Sequence, residues 1–373
     1  MLKPIHRVAC SPALVACQQL MQRFALWLCD PAITDADINQ QGLQPPVLVS
    51  SIEANWLWGF LQRIEAGQTL LSRAQTVAAM PSAQKTALST WIHTVAALAT
   101  QFQPVSMPWP NNLPLASESD WIAFKTLFES FYKKGFESGL PYLPNGTPTA
   151  SGGVNYADYV LAFRNTHRLN PDPDAREVCV LCGGPLGDTP QVDHWVLESK
   201  FPLLSVCADN LCLICSTCNE APNKGKKPVH SNGSFADWFH PYLRPGNGAV
   251  HLEYVLADLS VQCSSVTPAD QSKSVKLDEL LNLSSRWTRE FKAEYARHQD
   301  ALRRREQRRL QTAQARHSVA DIQSYVQQWQ EDLVHSEPHH EVHRTLALAL
   351  QQPSRLTAWH RELGLVTEAQ ANL

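Results

Sequence analysis

Two Cys-x-x-Cys pairs constrain this chain more than any other feature. Cys179-Val-Leu-Cys182 is followed by two glycines, and Cys215-Ser-Thr-Cys218 comes after 32 intervening residues. Two such knuckles supply four thiolates to one tetrahedral Zn²⁺, and the glycines let the first knuckle turn tightly. Four thiolates leave no open coordination position. The ion would therefore be structural, replacing a hydrophobic core in a segment too small to have one. A redox dithiol is the rival, but it usually needs one exposed pair at a helix start. Cys212 stands three residues before Cys215 and is a weaker alternative ligand. The remaining cysteines (Cys10, Cys17, Cys29, Cys207, Cys263) read as small buried hydrophobes.

The rest of the sequence suits an ordinary globular protein. Of its 373 residues, 44% are hydrophobic and 18% charged, enough apolar material for a real core. The formal net charge of −3 advertises no polyanion partner, so nucleic-acid binding would need local basic patches. No stretch reads as a transmembrane helix. The early apolar run from 12 to 29 is interrupted by Gln19, Gln22 and Arg23, and it lacks the layout of a secretory signal. These features point to the cytoplasm, where paired cysteines bind metal rather than form disulfides.

Helical periodicity predicts helices near 12–29, 53–66, 68–79, 83–102 and 118–138. The last puts Trp121, Phe124, Leu127, Phe128 and Phe131 on one face, with Ser117 or Ser119 as N-cap. Proline-rich connections fall at 44–47 and 104–114. Residues 140–156, rich in Pro, Gly, Ser and Thr, are the best linker candidate. Short strands and turns follow from about 175 to 245, and helices resume at about 276, broken by Pro338 and Pro353. The expected fold class is mainly α with a small α+β insert. Three domains are expected: a helical targeting, partner or regulatory domain at 1–145, a zinc-stapled domain at 146–260, and a helical region at 261–373.

Zinc accounts for the cysteines but not for the polar residues between them. Asp193-His194, Asn210-Leu211, Asn219 and Lys224 follow one another between and just after the knuckles, with Asn210 16 residues after His194 and Asn219 nine further on. This order resembles that of the HNH, or ββα-metal, nucleases. "ESKFP" and "WFHPYLRP" look like a subgroup of the same family. The resemblance covers roughly residues 160–300 and does not reach the amino-terminal half.

The resemblance implies a ββα-metal core and a metal-dependent hydrolysis of phosphodiesters, most naturally of DNA, with RNA as the other substrate class. Its chemistry needs a base for water and a divalent ion on the scissile phosphate. His194 would be the general base. Asp193 would ligate catalytic Mg²⁺ or Mn²⁺ from the opposite face of the first strand. Asn210 would brace the loop carrying His194, and Asn219 would be the second metal ligand. Asn223, four residues on, would join it if both shared a helix. Pro222 intervenes, so either the helix starts near Asn219 or it is interrupted. His240 reads as a packing and hydrogen-bonding residue. Lys224, Lys226, Lys227 and, more weakly, Lys200 suit backbone phosphates or a solvated turn. Nucleases of this kind often serve bacterial antiviral defence or mobile elements.

One further basic stretch stands apart. Residues 285–318 carry ten Lys/Arg against four Asp/Glu, a local balance of +6. It reads either as a solvated helix laced with ion pairs or as a phosphate-contacting helix. Against the nuclease stands a non-catalytic zinc module that binds nucleic acid or protein. Such a module would need the cysteines and lysines but not Asp193, His194 and Asn219 together.

Overall fold

The computed structural model describes residues 1–365 apart from 105–107, 112–113, 116 and 173, so the connection expected at 104–114 lies partly outside the described residues. The protein is mostly helical, with three two-stranded antiparallel sheets among the described residues. It divides into two compact units. One comprises Pro4–His167 and Pro190–Pro245; the other comprises Met1–Lys3, Arg168–Thr189 and Gly246–Leu373. The amino-terminal helices fall in the same unit as residues 190–245.

In the first unit, α1 (Ser11–Leu28), α2 (Ser51–Leu61), α3 (Leu70–Ala78), α4 (Ser82–Ala96) and α5 (Glu118–Ser130) build a helical core, and the small hairpin β1 (Ile64–Glu65) and β2 (Gln68–Thr69) joins α2 to α3. Three of these helices start at side-chain caps: the oxygens of Ser50, Thr69 and Ser117 each accept an amide of the following turn. The apolar stripe of α5 is buried as its spacing requires. Phe124 lies 4.6 Å from Phe128 between ring centres, and Phe131 lies 4.5 Å from Phe60. Beyond Ser130 the helix widens into a π-helical turn, Phe131–Phe136, which presents Tyr132.

The expected linker at 140–156 is instead part of this core. The Leu140 amide donates to the Val154 carbonyl and the Val154 amide to the Tyr142 carbonyl, and the buried Tyr142 hydroxyl donates to Glu53 at the start of α2. Proline and glycine here shape a tight return rather than a spacer. The chain continues into α6 (Tyr156–His167). The antiparallel pair β3 (Gln191–His194) and β4 (Leu211–Ile214) then forms, with Asp193 opposite Cys212 and His194 opposite Leu211. Both Tyr159 of α6 and Tyr242 donate hydroxyl hydrogen bonds to the Leu211 carbonyl at 2.7 Å, anchoring β4.

A single helical turn, α7 (Ser216–Asn219), closes this segment. The longer helix that would have carried Asn219 and Asn223 on one face does not form. Glu220 is extended, and Pro222, at the end of a cis peptide bond, follows two residues later. Proline disfavours the helical conformation in the residue before it and cannot donate to the helix ladder.

Among its described residues the second unit holds the first knuckle, the hairpin β5 (Val250–Val255) and β6 (Ser260–Ser265), and the helices α8 (Gln271–Leu281), α9 (Leu283–Gln311), α10 (Val319–Asp332), α11 (His340–Leu350) and α12 (Pro353–Glu362). Asn282 takes a left-handed conformation, φ 53°, where α8 gives way to α9. The buried stripe of α9 runs Leu283, Trp287, Phe291, Glu294, Tyr295, His298, Leu302 and Glu306, so two carboxylates and an imidazole share it with the apolar and aromatic side chains. The indole N–H of Trp287 donates to the Cys182 carbonyl at 2.9 Å. Arg303, Arg304, Arg305 and Arg308 face solvent on the other side. Part of that charge is paired, Arg303 with Asp300 at 3.3 Å and Arg309 with Asp321 at 3.8 Å.

Candidate metal and catalytic centre

Cys179, Cys182, Cys215 and Cys218 are all buried, and their four sulfurs lie within 4.8 Å of one another. Thiolates on one tetrahedral Zn²⁺, with Zn–S near 2.3 Å, sit about 3.8 Å apart, so the group is compatible with a structural zinc site. Each knuckle turns through its own backbone. The Cys179 amide donates to the Gly184 carbonyl, and the Gly183 amide donates to the Cys179 carbonyl. Gly183 has a φ of +73°, which glycine adopts without strain. In the second knuckle the Cys218 amide donates to the Cys215 carbonyl at 3.0 Å. Cys212 is not a member of this group; it occupies the middle of β4.

His194 ends β3. Its Nε2 lies 2.8 Å from the Ser205 carbonyl and 3.3 Å from Glu198 Oε2, so two acceptors face that nitrogen. This fixes the tautomer with the proton on Nε2 and the lone pair on Nδ1. Ser205 is itself held: its hydroxyl donates to the Phe128 carbonyl on α5 at 2.8 Å. Tyr132 meets the imidazole edge-on, with ring centres 4.6 Å apart. Burial pushes the imidazole down to about 4, against the raising effect of the Ser205 carbonyl and Asp193, so the ring is neutral at neutral pH. Burial, reinforced by Glu129, pushes the Glu198 carboxyl up to about 7.

Asn210 is fully buried and makes three hydrogen bonds. Its Oδ1 accepts from the Val196 amide at 2.7 Å, and its Nδ2 donates to the carbonyls of Val196 and Leu204. It ties both ends of the loop that follows His194. Asn210→Ala would leave those backbone groups unpaired inside the protein, at about 1–3 kcal/mol each. We expect a loss of more than about 3 kcal/mol in urea unfolding, with reduced protection of the Val196 amide in hydrogen exchange.

Asp193 and Lys224 form a buried ion pair. Lys224 Nζ lies 2.8 Å from Asp193 Oδ1 and 2.8 Å from the His194 carbonyl, and the ammonium has no exposed surface. Lys224 therefore does not face solvent, as a phosphate-contacting side chain must. The short turn after α7 and the Lys224 amide bond to the Cys218 carbonyl direct it inward. Lys224→Met strands the carboxylate, and breaking a buried pair in this way costs about 3–5 kcal/mol. Chemical denaturation should show that loss, with partial recovery in the double variant Lys224→Met, Asp193→Asn.

The other oxygen of Asp193, Oδ2, is buried with no hydrogen-bond partner, and so is Oδ1 of Asn223. Asn223 lies off any helix, and its Nδ2 donates to the Thr217 carbonyl at 2.6 Å. Asn219 uses its Nδ2 on Gln191 Oε1, also at 2.6 Å, which leaves its amide oxygen available. His240 is wholly buried, accepts the amides of Tyr242 and Leu243 on Nδ1, and meets Phe102 edge-on at 4.8 Å between ring centres. Lys200 and Lys226 are exposed and Lys227 half-buried.

Sequence reasoning missed Tyr132, Glu198 and Gln191. Glu198 had a signal, standing four residues after His194 within "ESKFP". Tyr132 had none, because it arrives from a helix sixty residues earlier. Comparison with protein-family models, curated proteins and solved structures gives no match. Among the described residues no helix is long and apolar enough to cross a membrane.

Proposed function

We propose that the chain is a metal-dependent endonuclease of the HNH type that hydrolyses DNA phosphodiesters, stapled by one structural zinc. The observation that carries this reading is His194: a buried, neutral imidazole whose Nε2 proton is committed to the Ser205 carbonyl, leaving Nδ1 as the proton acceptor. Asn210 and Ser205 hold that geometry from both sides of the loop. An unpaired buried oxygen on Asp193 and another on Asn223 are hard donors of the type a divalent ion takes, and the amide oxygen of Asn219 adds a third candidate. Such an ion, when bound, supplies a Lewis acid for the scissile phosphate and the leaving oxygen. His194 accepts the proton of the attacking water at Nδ1. The exposed Lys200 and Lys226 suit the flanking phosphates.

A second reading, a non-catalytic zinc-stapled adaptor for nucleic acid or protein, is favoured by one feature. The Lys224 ammonium already neutralises Asp193 from 2.8 Å, where a catalytic ion would have to share the carboxylate. Plasmid DNA and a folded RNA incubated with the full chain, with Mg²⁺ or Mn²⁺ and with chelator, separate the two. Metal-dependent nicking supports the nuclease and names its substrate. Retention of DNA in a gel shift without any cleavage supports the adaptor.

A further inference from the structure

A second group of ligand atoms lies on α9 and α11, both in the second unit. Glu290, Glu294 and His343 bring two carboxylates and one imidazole within 4.8 Å of one another. His343 Nε2 is 3.0 Å from Glu290 Oε1 and 3.9 Å from Glu294 Oε2. Two ligands each about 2.1 Å from one ion lie roughly 3.0–3.4 Å apart, so the spacings bracket those of a bound first-row divalent ion.

The carboxylates are presented by the helix repeat. Glu290 and Glu294 are one turn apart on α9 and so share a face. Glu294 is only 3% exposed. Its Oε1 is occupied by His298 Nε2 at 2.9 Å and by Arg297, while Oε2 faces His343. His298 is oriented in turn by the Tyr325 hydroxyl, 2.5 Å from its Nδ1. A carboxylate with one oxygen held by a histidine and the other free to ligate is the outer-sphere arrangement that fixes metal ligands. His339, at the start of α11, brings a fourth candidate donor, its Nε2 lying 3.9 Å from Glu290 Oε2. A side chain at Gly184 would meet the His339 ring at 2.9 Å, so glycine there makes room for it.

The group opens on a cavity of about 770 Å³ lined by Glu290, His339, His343, Arg176 and Arg297. An ion held by protein on one side and open to a cavity on the other keeps positions for water or a small ligand, unlike the closed thiolate cage. We propose that Glu290, Glu294 and His343 bind a divalent transition-metal ion, Mn²⁺, Fe²⁺ or Zn²⁺ by ligand type, at a site separate from the four cysteines and from Asp193.

Mn²⁺ is the probe, because thiolates favour zinc over manganese. Zinc-loaded full-length protein is titrated with Mn²⁺ and free Mn²⁺ is read by electron paramagnetic resonance. The wild type should bind a Mn²⁺ that Asp193→Ala retains and that Glu294→Gln and His343→Ala each lose, in addition to any Mn²⁺ held through Asp193. Glu294→Gln conserves shape, and a melting curve checks that it folds; Glu290→Gln serves if it does not. DNA cleavage, where present, should be unchanged in Glu294→Gln, so failure here is distinguishable from failure of the nuclease reading. Equal Mn²⁺ binding by the wild type and all three α9 and α11 variants would overturn the site. So would a wild type whose only bound Mn²⁺ is lost in Asp193→Ala.

Discussion

Replacing His194 by alanine is expected to slow metal-dependent DNA cleavage by about 10²- to 10⁴-fold, the usual contribution of a positioned general base. The cause is specific. The Ser205 carbonyl holds the Nε2 proton at 2.8 Å, so Nδ1 carries the only lone pair the ring can offer. Burial keeps the ring uncharged at neutral pH, so it need not first lose a proton. Nicking of supercoiled plasmid in Mg²⁺ or Mn²⁺, with zinc content and melting temperature measured on the same preparation, is the check. The ring also packs against Tyr132, so His194→Gln, which retains bulk and a hydrogen-bond donor, controls for lost packing. Both variants should fold and bind zinc while failing to cut. If either nicks plasmid as fast as the wild type, His194 is not the base.

The second large effect concerns the thiolates. Cys182→Ser should lose zinc and with it the cooperative folding of the segment that the knuckles organise. Structural zinc contributes on the order of 10–16 kcal/mol of apparent binding free energy in small zinc-dependent folds, and here four buried sulfurs lie within 4.8 Å of one another. Metal analysis should give one tightly held zinc in the wild type that survives His194→Ala and is absent from Cys182→Ser. A strong thiol-competing chelator should reproduce the variant's loss of near-ultraviolet circular dichroism. Cys212→Ser, in the middle of β4 and outside the cage, should keep its zinc. Unchanged zinc in Cys182→Ser would remove the four-cysteine assignment.

The parts of this protein that were legible in its sequence are those set by local spacing. The stripe of α5 and its cap at Ser117 follow from a 3.6-residue period and one serine. The four-cysteine group follows from two motifs whose turns are local. Harder to read were contacts between distant segments. Lys224 stands in a run of lysines that suggests solvent, yet one turn of helix and a proline fold it onto Asp193. The stretch at 140–156 has linker composition, but Tyr142 within it reaches Glu53 and is buried. On α9 the charge count drew attention to the exposed arginines, whereas Glu294 and His298 hold every-third-or-fourth positions on the buried stripe. An ionisable residue at a core position of an amphipathic helix was the available signal there.

The hydroxyl of Ser205 reaching the Phe128 carbonyl has a consequence for dissecting the protein. The histidine's orientation is inherited from a helix turn that precedes it by more than sixty residues, and the aromatic ring against it comes from the π-helical turn that follows. A fragment beginning at residue 146 would retain every motif that the sequence displays and lose the support that aims them. The motif-bearing segment is thus not a cassette that can be transplanted: the setting of its histidine depends on α5 and the π-helical turn that follows it.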